Sequence, residues 1–170
     1  MSVYNSITET IGDTPIIRLN RMVPPGAHIY VKSERCNPGG SIKDRPALSM
    51  IDDAVARGLL KEGGTIVEPT SGNMGISLAM IAAARGYHAV IVMPDSMTRE
   101  RISLMKAYGA EIVLSPGANG MQGAVELAES IAKERGGFLC GQFDNPANAA
   151  AHRPSRMVGT TANAPTRRGA

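Results

Sequence analysis

The chain has 170 residues, of which 43% are hydrophobic, and this length and composition suit one globular domain with a buried core and exclude a disordered protein. Its two cysteines, Cys36 and Cys140, form no CxxC pair, and there are only three histidines, so we expect a reducing, cytoplasmic location, no disulfide framework and no metal site. The formal net charge of +3 arises in residues 153–170, which hold four of the 18 basic residues and no acid, and the remaining 14 basic and 15 acidic residues do not predict nucleic-acid binding.

Residues 1–34 contain two strand-like runs and no targeting signal. MSVYNSITET lacks a basic region followed by an apolar run, and no apolar stretch in the sequence has the length of a membrane span, so neither export nor membrane insertion is expected. The runs TPIIRL (14–19) and HIYVKSE (28–34) are joined by NRMVPPGA, which has no helical pattern. We therefore expect an antiparallel pair in an N-terminal segment, placed apart from a domain that covers residues 35–152.

Apolar residues recur at helical spacing between Ser41 and Gly58, which predicts a helix. Ser41 and Asp44 have the spacing of a capping box. Two starting points remain open because of Pro46. If Ser41 is the cap, the proline falls just past the first turn and removes one backbone bond, whereas a later start places it at a favourable first position.

From residue 65 onward, apolar strand-like runs alternate with helical patterns. The predicted strands are 65–69, 87–94, 110–116 and 138–143, and the predicted helices are 73–86, 98–109 and 120–137. Nearly continuous apolar strands that are separated by helices predict an α/β fold with a mainly parallel sheet and helices on both of its faces.

Two loops of this fold are candidates for chemistry. In parallel sheets ligands bind at the carboxyl ends of strands, where loops meet helix N-termini. NPGGSIKDR (37–45) precedes the first helix, and EPTSGNMG (68–75) joins a strand to the next helix. The second loop offers hydroxyl groups and backbone N–H groups to a carboxylate or phosphate, although plain helix capping would need the same residue types.

Lys43, in the first of these loops, has three interpretations. It could be an ordinary solvated lysine. A phosphate clamp is excluded, because both the glycine spacing and the residue after the lysine depart from GxxxxGK[ST]. The third interpretation is a reactive amine, since partial burial and the positive end of a helix dipole both favour the neutral form that a Schiff base needs. The nearby Cys36 is expected to be a small buried thiol.

Five segments of the chain resemble the N-terminal half of the cysteine synthase (O-acetylserine sulfhydrylase) family, which belongs with cystathionine β-synthase to the fold type II pyridoxal-phosphate enzymes. They are IGDTPIIRLN (11–20), VKSERCNPGGSIKDR (31–45), EPTSGNMGISLA (68–79), VMPDSMTRERISLMKAYGAEIVLSPG (92–117) and QFDNPANAAAH (142–152). The resemblance covers about residues 3–152 in family order. It implies that the strands at 14–19 and 28–34 belong to the sheet of a larger second domain, so that their apolar edges would be uncovered here.

The resemblance also implies a cofactor, a reaction and a set of site residues. Lys43 corresponds to the lysine that forms the Schiff base with pyridoxal 5'-phosphate and then acts as general acid and base. Asn73 corresponds to the residue that binds the phenolic oxygen of the cofactor. The substrate carboxylate is implied to contact Thr70, Ser71, Gly72, Asn73, Met74 and Gln142. The implied reaction makes L-cysteine from O-acetyl-L-serine and sulfide through an aminoacrylate.

The same resemblance implies a homodimer and a complex with serine acetyltransferase. It leaves two other activities open, those of cystathionine β-synthase and of an O-phosphoserine-dependent cysteine synthase. Agreement with the family stops near Arg153, and residues 153–170 lack Leu, Ile, Phe and Tyr. We expect this tail to be disordered or the product of a frameshift, and we expect the half that supplies the cofactor-phosphate site to be absent, which makes a catalytically inactive fragment a further alternative.

Overall fold

The computed structural model describes residues 3–153, so the predicted tail lies outside the described residues except for Arg153. Within them, six strands and five α-helices follow one another. They are β1 (Ile16–Arg18), β2 (Tyr30–Lys32), α1 (Asp44–Ala56), β3 (Thr65–Pro69), α2 (Asn73–Arg85), β4 (His88–Pro94), α3 (Arg99–Ala107), β5 (Glu111–Ser115), α4 (Gly120–Arg135), β6 (Phe138–Leu139) and α5 (Pro146–Ala150).

Four of the strands form the predicted parallel sheet, in the order β5-β4-β3-β6. Val67 of β3 lies opposite Val90 of β4, and Val92 lies opposite Val113 of β5. The predicted fold class is confirmed. Within this sheet, β6 departs most from its predicted bounds, because it ends at Leu139 and not at residue 143, whereas β3, β4 and β5 lie within one residue of theirs at each end.

Helices cover both faces of this sheet, which explains why its strands are apolar at nearly every position. Side chains alternate between the two faces of a strand. Ile66 and Ile91 pack in one cluster with residues of α1 and α2. Val67, Val90 and Val92 pack on the opposite face against Ala124, Ala128, Ile131 and Ala132 of α4. Each central strand therefore has to be hydrophobic on both sides.

The start of α1 differs from the capping box that we predicted. The helix begins at Asp44, and Ser41 Oγ accepts a hydrogen bond from the N–H of Lys43 (3.1 Å). The Asp44 carboxylate does not return to Ser41 and instead accepts from the N–H of Gly39 (2.6 Å). Pro46 is the third helical residue, where a backbone N–H would have no intrahelical acceptor, so the proline removes no helical bond.

The strands β1 and β2 form a separate antiparallel ribbon, as predicted. Ile17 lies opposite Val31, and their side chains are 50% and 44% exposed. The turn after the ribbon carries Cys36, which is exposed, with its Sγ 3.3 Å from Ser33 Oγ, so the prediction that it is buried was wrong. None of the helices in residues 3–153 has the length and hydropathy needed to cross a membrane.

Candidate active site at the carboxyl edge of the parallel sheet

The loop after β3 and the segment after β6 both lie at the carboxyl edge of the sheet, and NPGGSIKDR is linked to α2 at that edge by the contact of Asp44 with Ser77. β3 ends at Pro69, and the loop Thr70–Gly72 leads directly into α2. β6 lies beside β3, with Val67 opposite Leu139, so the segment that follows β6 emerges at the same edge. Ligands of parallel sheets bind at this kind of edge.

Most of the polar side chains of NPGGSIKDR are used to hold the loop itself. Asn37 is 3% exposed, and its Oδ1 accepts from the N–H of Gly12 (2.8 Å) while its Nδ2 donates to the backbone oxygen of Glu34 (2.8 Å). Arg45 donates from Nε to Glu34 Oε2 (2.7 Å). The Arg45 guanidinium holds the pKa of Glu34 well below its usual range, so this ion pair persists at neutral pH.

Asp44 fixes the turn of glycines that precedes Lys43. Its carboxylate is fully buried and accepts from the N–H of Gly39. A Cβ at Gly39 would overlap the Asp44 carboxylate, so the close approach requires glycine. Burial raises the pKa of the Asp44 carboxyl, while hydrogen bonds from Ser77 and Gly39 oppose that rise.

Asp44 also ties the Lys43 loop to the first turn of α2. Ser77 Oγ donates to Asp44 Oδ1, and it lies 2.9 Å from the backbone oxygen of Asn73. A hydroxyl has one proton, so it serves one of these two acceptors at a time. This pair of contacts links the Lys43 loop to the start of α2.

Lys43 differs from the other polar residues of its loop. It occupies the N-cap position of α1 and is half-buried. Among residues 3–153, its ammonium group makes no side-chain hydrogen bond and no ion pair, whereas Asn37, Ser41, Asp44 and Arg45 all do. The polar side chains around Lys43 thus hold the backbone of the loop, and the amine of Lys43 takes no part in these described contacts.

The loop after β3 presents backbone donors. The N–H of Thr70 donates to Val92 O (2.9 Å), which extends the pairing with β4, and Thr70 Oγ1 accepts from Gly72 N (3.4 Å). Asn73 and Met74 open α2, so their N–H groups have no intrahelical acceptor. The Met74 side chain is 1% exposed and lies in the core, which leaves only its backbone for a ligand.

Gln142 is held at this edge by a residue that the sequence analysis missed. Glu68, in β3, is fully buried, and its carboxylate accepts from the N–H of Gly141 (2.8 Å) and of Gln142 (3.4 Å). These bonds go to a side chain and not to the backbone of β3, which explains why β6 ends early. An acid within the apolar run TIVEP was the sequence signal for this contact.

A second missed contact concerns α3. Arg101 donates from a guanidinium nitrogen to the backbone oxygen of Ser71 (3.3 Å). These contacts divide the predicted site residues into two groups that are connected along the chain. Asp44 and Ser77 link the Lys43 loop to the start of α2. Glu68 links Gln142 to β3, and Thr70–Gly72 connects β3 to α2 along the chain. Together they offer an amine, helix-start N–H groups and an amide.

Comparison with known proteins gives a consistent family match. Residues 7–154 match the family model described as pyridoxal-phosphate dependent enzyme. The chain is 56% identical over 153 residues to O-ureido-L-serine synthase of Streptomyces lavendulae, which covers 90% of this chain and 47% of the relative. It is 53% identical over 155 residues to a probable cysteine synthase of Bacillus subtilis (strain 168), which covers 90% of this chain and 50% of the relative.

The fold matches as well. A crystal structure of O-ureido-L-serine synthase superimposes with a TM-score of 0.87 at 56% sequence identity, covering 90% of this chain and 48% of that one. The chain therefore spans about half the length of the curated relatives that it matches.

Proposed function

The chain belongs to the family of pyridoxal-phosphate-dependent enzymes, and on that basis we propose that this sheet edge serves a β-replacement that makes L-cysteine from O-acetyl-L-serine and sulfide. The observation that carries the proposal is the state of Lys43. Its neighbours in the loop fix the backbone, and within the described residues its own amine has no side-chain partner. Such an amine suits covalent attachment of an aldehyde cofactor.

The donor set fits the cofactor at the end that reacts. Lys43 would hold the aldehyde carbon, and Asn73, exposed at the start of α2, would donate to the phenolic oxygen. Pyridoxal phosphate, when bound, draws electrons away from the α-carbon of an amino acid and so acidifies the α-proton. The protein's part is to bind, to orient and to move that proton.

The residues of this chain divide that work. The N–H groups at the start of α2, with the hydroxyls of Thr70 and Ser71, would bind the substrate carboxylate, since the positive end of a helix favours an anion. Gln142 would donate a further hydrogen bond to that carboxylate. Once the substrate amino group had released Lys43 from the cofactor, Lys43 Nζ would take the α-proton. Acetate would leave from the β-carbon with its bonding electron pair, and the sulfur nucleophile would add there before Lys43 returned the proton.

A second product is favoured by one observation. The identity to O-ureido-L-serine synthase is 56%, slightly above the 53% identity to the probable cysteine synthase. Synthesis of O-ureido-L-serine is therefore the alternative to synthesis of L-cysteine. The cystathionine β-synthase and O-phosphoserine-dependent activities belong to the same set of assays.

Location and assembly complete the proposal. We propose a cytoplasmic homodimer that also binds serine acetyltransferase, as the resemblance to cysteine synthases implies. Sedimentation of the purified chain, alone and with serine acetyltransferase, measures both associations.

The cofactor site is tested first. Pyridoxal phosphate is added to the purified full chain, the visible absorption of the lysine-bound cofactor is recorded, and the adduct is reduced with borohydride and located by mass spectrometry. We expect the adduct on Lys43 and its loss in Lys43→Ala. Lys61→Ala, which changes an exposed lysine, serves as the control and should keep the adduct. An adduct that is absent, or that does not depend on Lys43, would contradict the proposal and favour an inactive chain.

Substrate choice is tested next. The loaded chain is supplied with O-acetyl-L-serine, O-phosphoserine or serine together with sulfide, and the amino-acid products are identified. L-cysteine formed fastest from O-acetyl-L-serine is the expected result. Formation of O-ureido-L-serine when sulfide is replaced by hydroxyurea, without L-cysteine formation from sulfide, would assign the alternative.

A further inference from the structure

Glu68 is a carboxylate in the middle of the hydrophobic core. It lies between Val67 and Pro69 in β3, its side chain is fully buried, and within residues 3–153 it forms no ion pair. Burial of a charge without a cationic partner is unfavourable unless hydrogen bonds compensate for it. Packing alone therefore does not explain why a carboxylate lies at this position.

The backbone hydrogen bonds that Glu68 accepts hold one short segment. Oε2 accepts from the N–H of Gly141 at 2.8 Å, and Oε1 lies 3.4 Å from the N–H of Gln142. Just before them, the N–H of Cys140 still donates to the backbone oxygen of Val67. The carboxylate thus accepts from the segment at the point where backbone pairing with β3 stops, and the chain turns at Gly141, whose φ is +63°.

Gln142 is held from its other side too. Its backbone oxygen accepts from Asn148 Nδ2 at 2.6 Å. Asn145 Nδ2 donates to the backbone oxygen of Cys140, so the turn is closed behind the residue. Of the groups that hold Gln142, only Glu68 can change charge.

We propose that Glu68 is a positioning residue that sets the place of Gln142 at the substrate edge according to its own protonation state. The proposal rests on the proposed function, in which Gln142 binds the substrate carboxylate. An ionised carboxylate can accept from both N–H groups, whereas a protonated one turns one oxygen into a donor. Loss of one of the two bonds would release one side of the turn that carries Gln142.

The surroundings of Glu68 place its change of protonation state near neutral pH. Burial raises the pKa of Glu68 to about 7. The backbone hydrogen bonds from Gly141 and Gln142 oppose the rise, and so does a hydrogen bond from the Gln142 side chain. Among the described residues, the titratable group that faces Glu68 is the thiol of Cys140. Burial, with a smaller contribution from the charge of Glu68, raises the pKa of that thiol far above neutral, so it stays protonated.

The first experiment needs no cofactor. Amide resonances of the full chain are followed by nuclear magnetic resonance from weakly acidic to weakly basic pH. We expect the Gly141 and Gln142 amides to shift together, with one midpoint near the pKa of about 7 given above, and to lose this transition in Glu68→Gln. Glu62→Gln, a change to an exposed glutamate, should leave the transition unaltered. Amides that do not titrate in the wild-type chain would overturn the proposal even if the variant fails to fold.

The second experiment connects Glu68 to the ligand. L-serine is titrated into the cofactor-loaded chain, and the change in visible absorption gives an apparent Kd. At weakly basic pH we expect Glu68→Gln to raise this Kd about tenfold, the effect of losing one charge-assisted hydrogen bond, while the Lys43-dependent absorption stays the same. An unchanged Kd with intact absorption would overturn the role of Glu68 alone, whereas absence of the absorption would overturn the proposed function.

Discussion

The pKa values of two glutamates near the site are shifted in opposite directions. The Arg45 guanidinium holds the pKa of Glu34 well below its usual range, and hydrogen bonds from Lys32 and Asn37 lower it to a smaller extent. Burial raises the pKa of Glu68 from an ordinary 4.5 to about 7. The first shift favours the folded state above the unfolded pKa, and that contribution is lost in acid. The second favours the folded state below the unfolded pKa and is lost as pH rises.

We predict that Glu68 makes the free energy of unfolding fall between about pH 4.5 and just above pH 7. In that window the folded chain holds a proton that the unfolded chain releases, so stability decreases as pH rises. A shift of this size corresponds to about 3 kcal/mol. Urea unfolding of the wild-type chain and of Glu68→Gln, measured across this range, gives the comparison.

The variant should have a flatter pH dependence, because its neutral amide does not titrate. Glu34 is present in both proteins, so the titration of Glu34 in the unfolded chain near pH 4.5 contributes equally to the two slopes and cancels in the comparison. Equal slopes for the two proteins would show that Glu68 is not buried as a titrating acid.

At the scale of single residues, the sequence was informative within single loops, where the spacing of residues and the family resemblance identify candidate site residues. Through the family resemblance, NPGGSIKDR predicts a role for Lys43 and EPTSGNMG predicts roles for the residues after β3, and these roles stay predictions. The sequence could not give the Asp44–Ser77 contact or the Glu68–Gly141 contact, since their partners lie 33 and 73 residues apart and neither pair has a sequence pattern. The predictions that Asp44 completes a capping box and that Cys36 is buried were wrong for a related reason. Local spacing does not reveal which side chains the tertiary fold brings close.

At the scale of elements, α2 lies very close to the sheet at Gly75. A Cβ there would lie 2.7 Å from Met105 Sδ, 3.0 Å from Thr70 Cγ2 and 3.2 Å from Ile91 Cγ2. Alanine favours a helix over glycine by about 1 kcal/mol, whereas overpacking of a core costs about 1–3 kcal/mol. We predict that Gly75→Ala lowers the free energy of unfolding by about 1 kcal/mol or more, as measured with urea.

A double-mutant cycle separates the clash from other effects. Met105→Ala removes the nearest of the three contacts, so Gly75→Ala should be less destabilising in that background than in the wild-type chain. The same cost in both backgrounds, or a stabilising effect of Gly75→Ala, would contradict the packing explanation.

The elements of the parallel sheet were predictable because each carries a strong local signal. The helices before Gly86 and Gly136 end where those residues take positive φ, and their strands are short apolar runs. β6 was the exception. Its run continues to residue 143, but the Glu68 carboxylate binds the amides that would have continued the strand.

At the scale of the whole molecule, the arrangement of the two sheets followed from the connections. Helices between strands 65–69, 87–94 and 110–116 required a parallel sheet, and the lack of a helix between 14–19 and 28–34 indicated a separate antiparallel pair. The sequence could not say how far the ribbon would be covered. Within residues 3–153 it pairs with no other strand, and the chain spans about half the length of its relatives.

The ribbon therefore gives the last prediction, which concerns self-association. Ile17 and Val31 lie opposite each other with half-exposed side chains on a ribbon whose outer edges have no strand partner in the described residues. Uncovered apolar edges promote pairing between chains. We expect the double variant Ile17→Thr/Val31→Thr to form fewer large species than the wild-type chain in sedimentation velocity runs at matched concentrations. Threonine keeps the preference for strand structure, so far-ultraviolet circular dichroism should stay the same.

Val55→Thr/Leu104→Gln removes two side chains of similar exposure from helices and should leave association unaltered. If both double variants reduce association equally, general surface hydrophobicity and not the strand edge is responsible, and if neither does, the ribbon is not a contact surface.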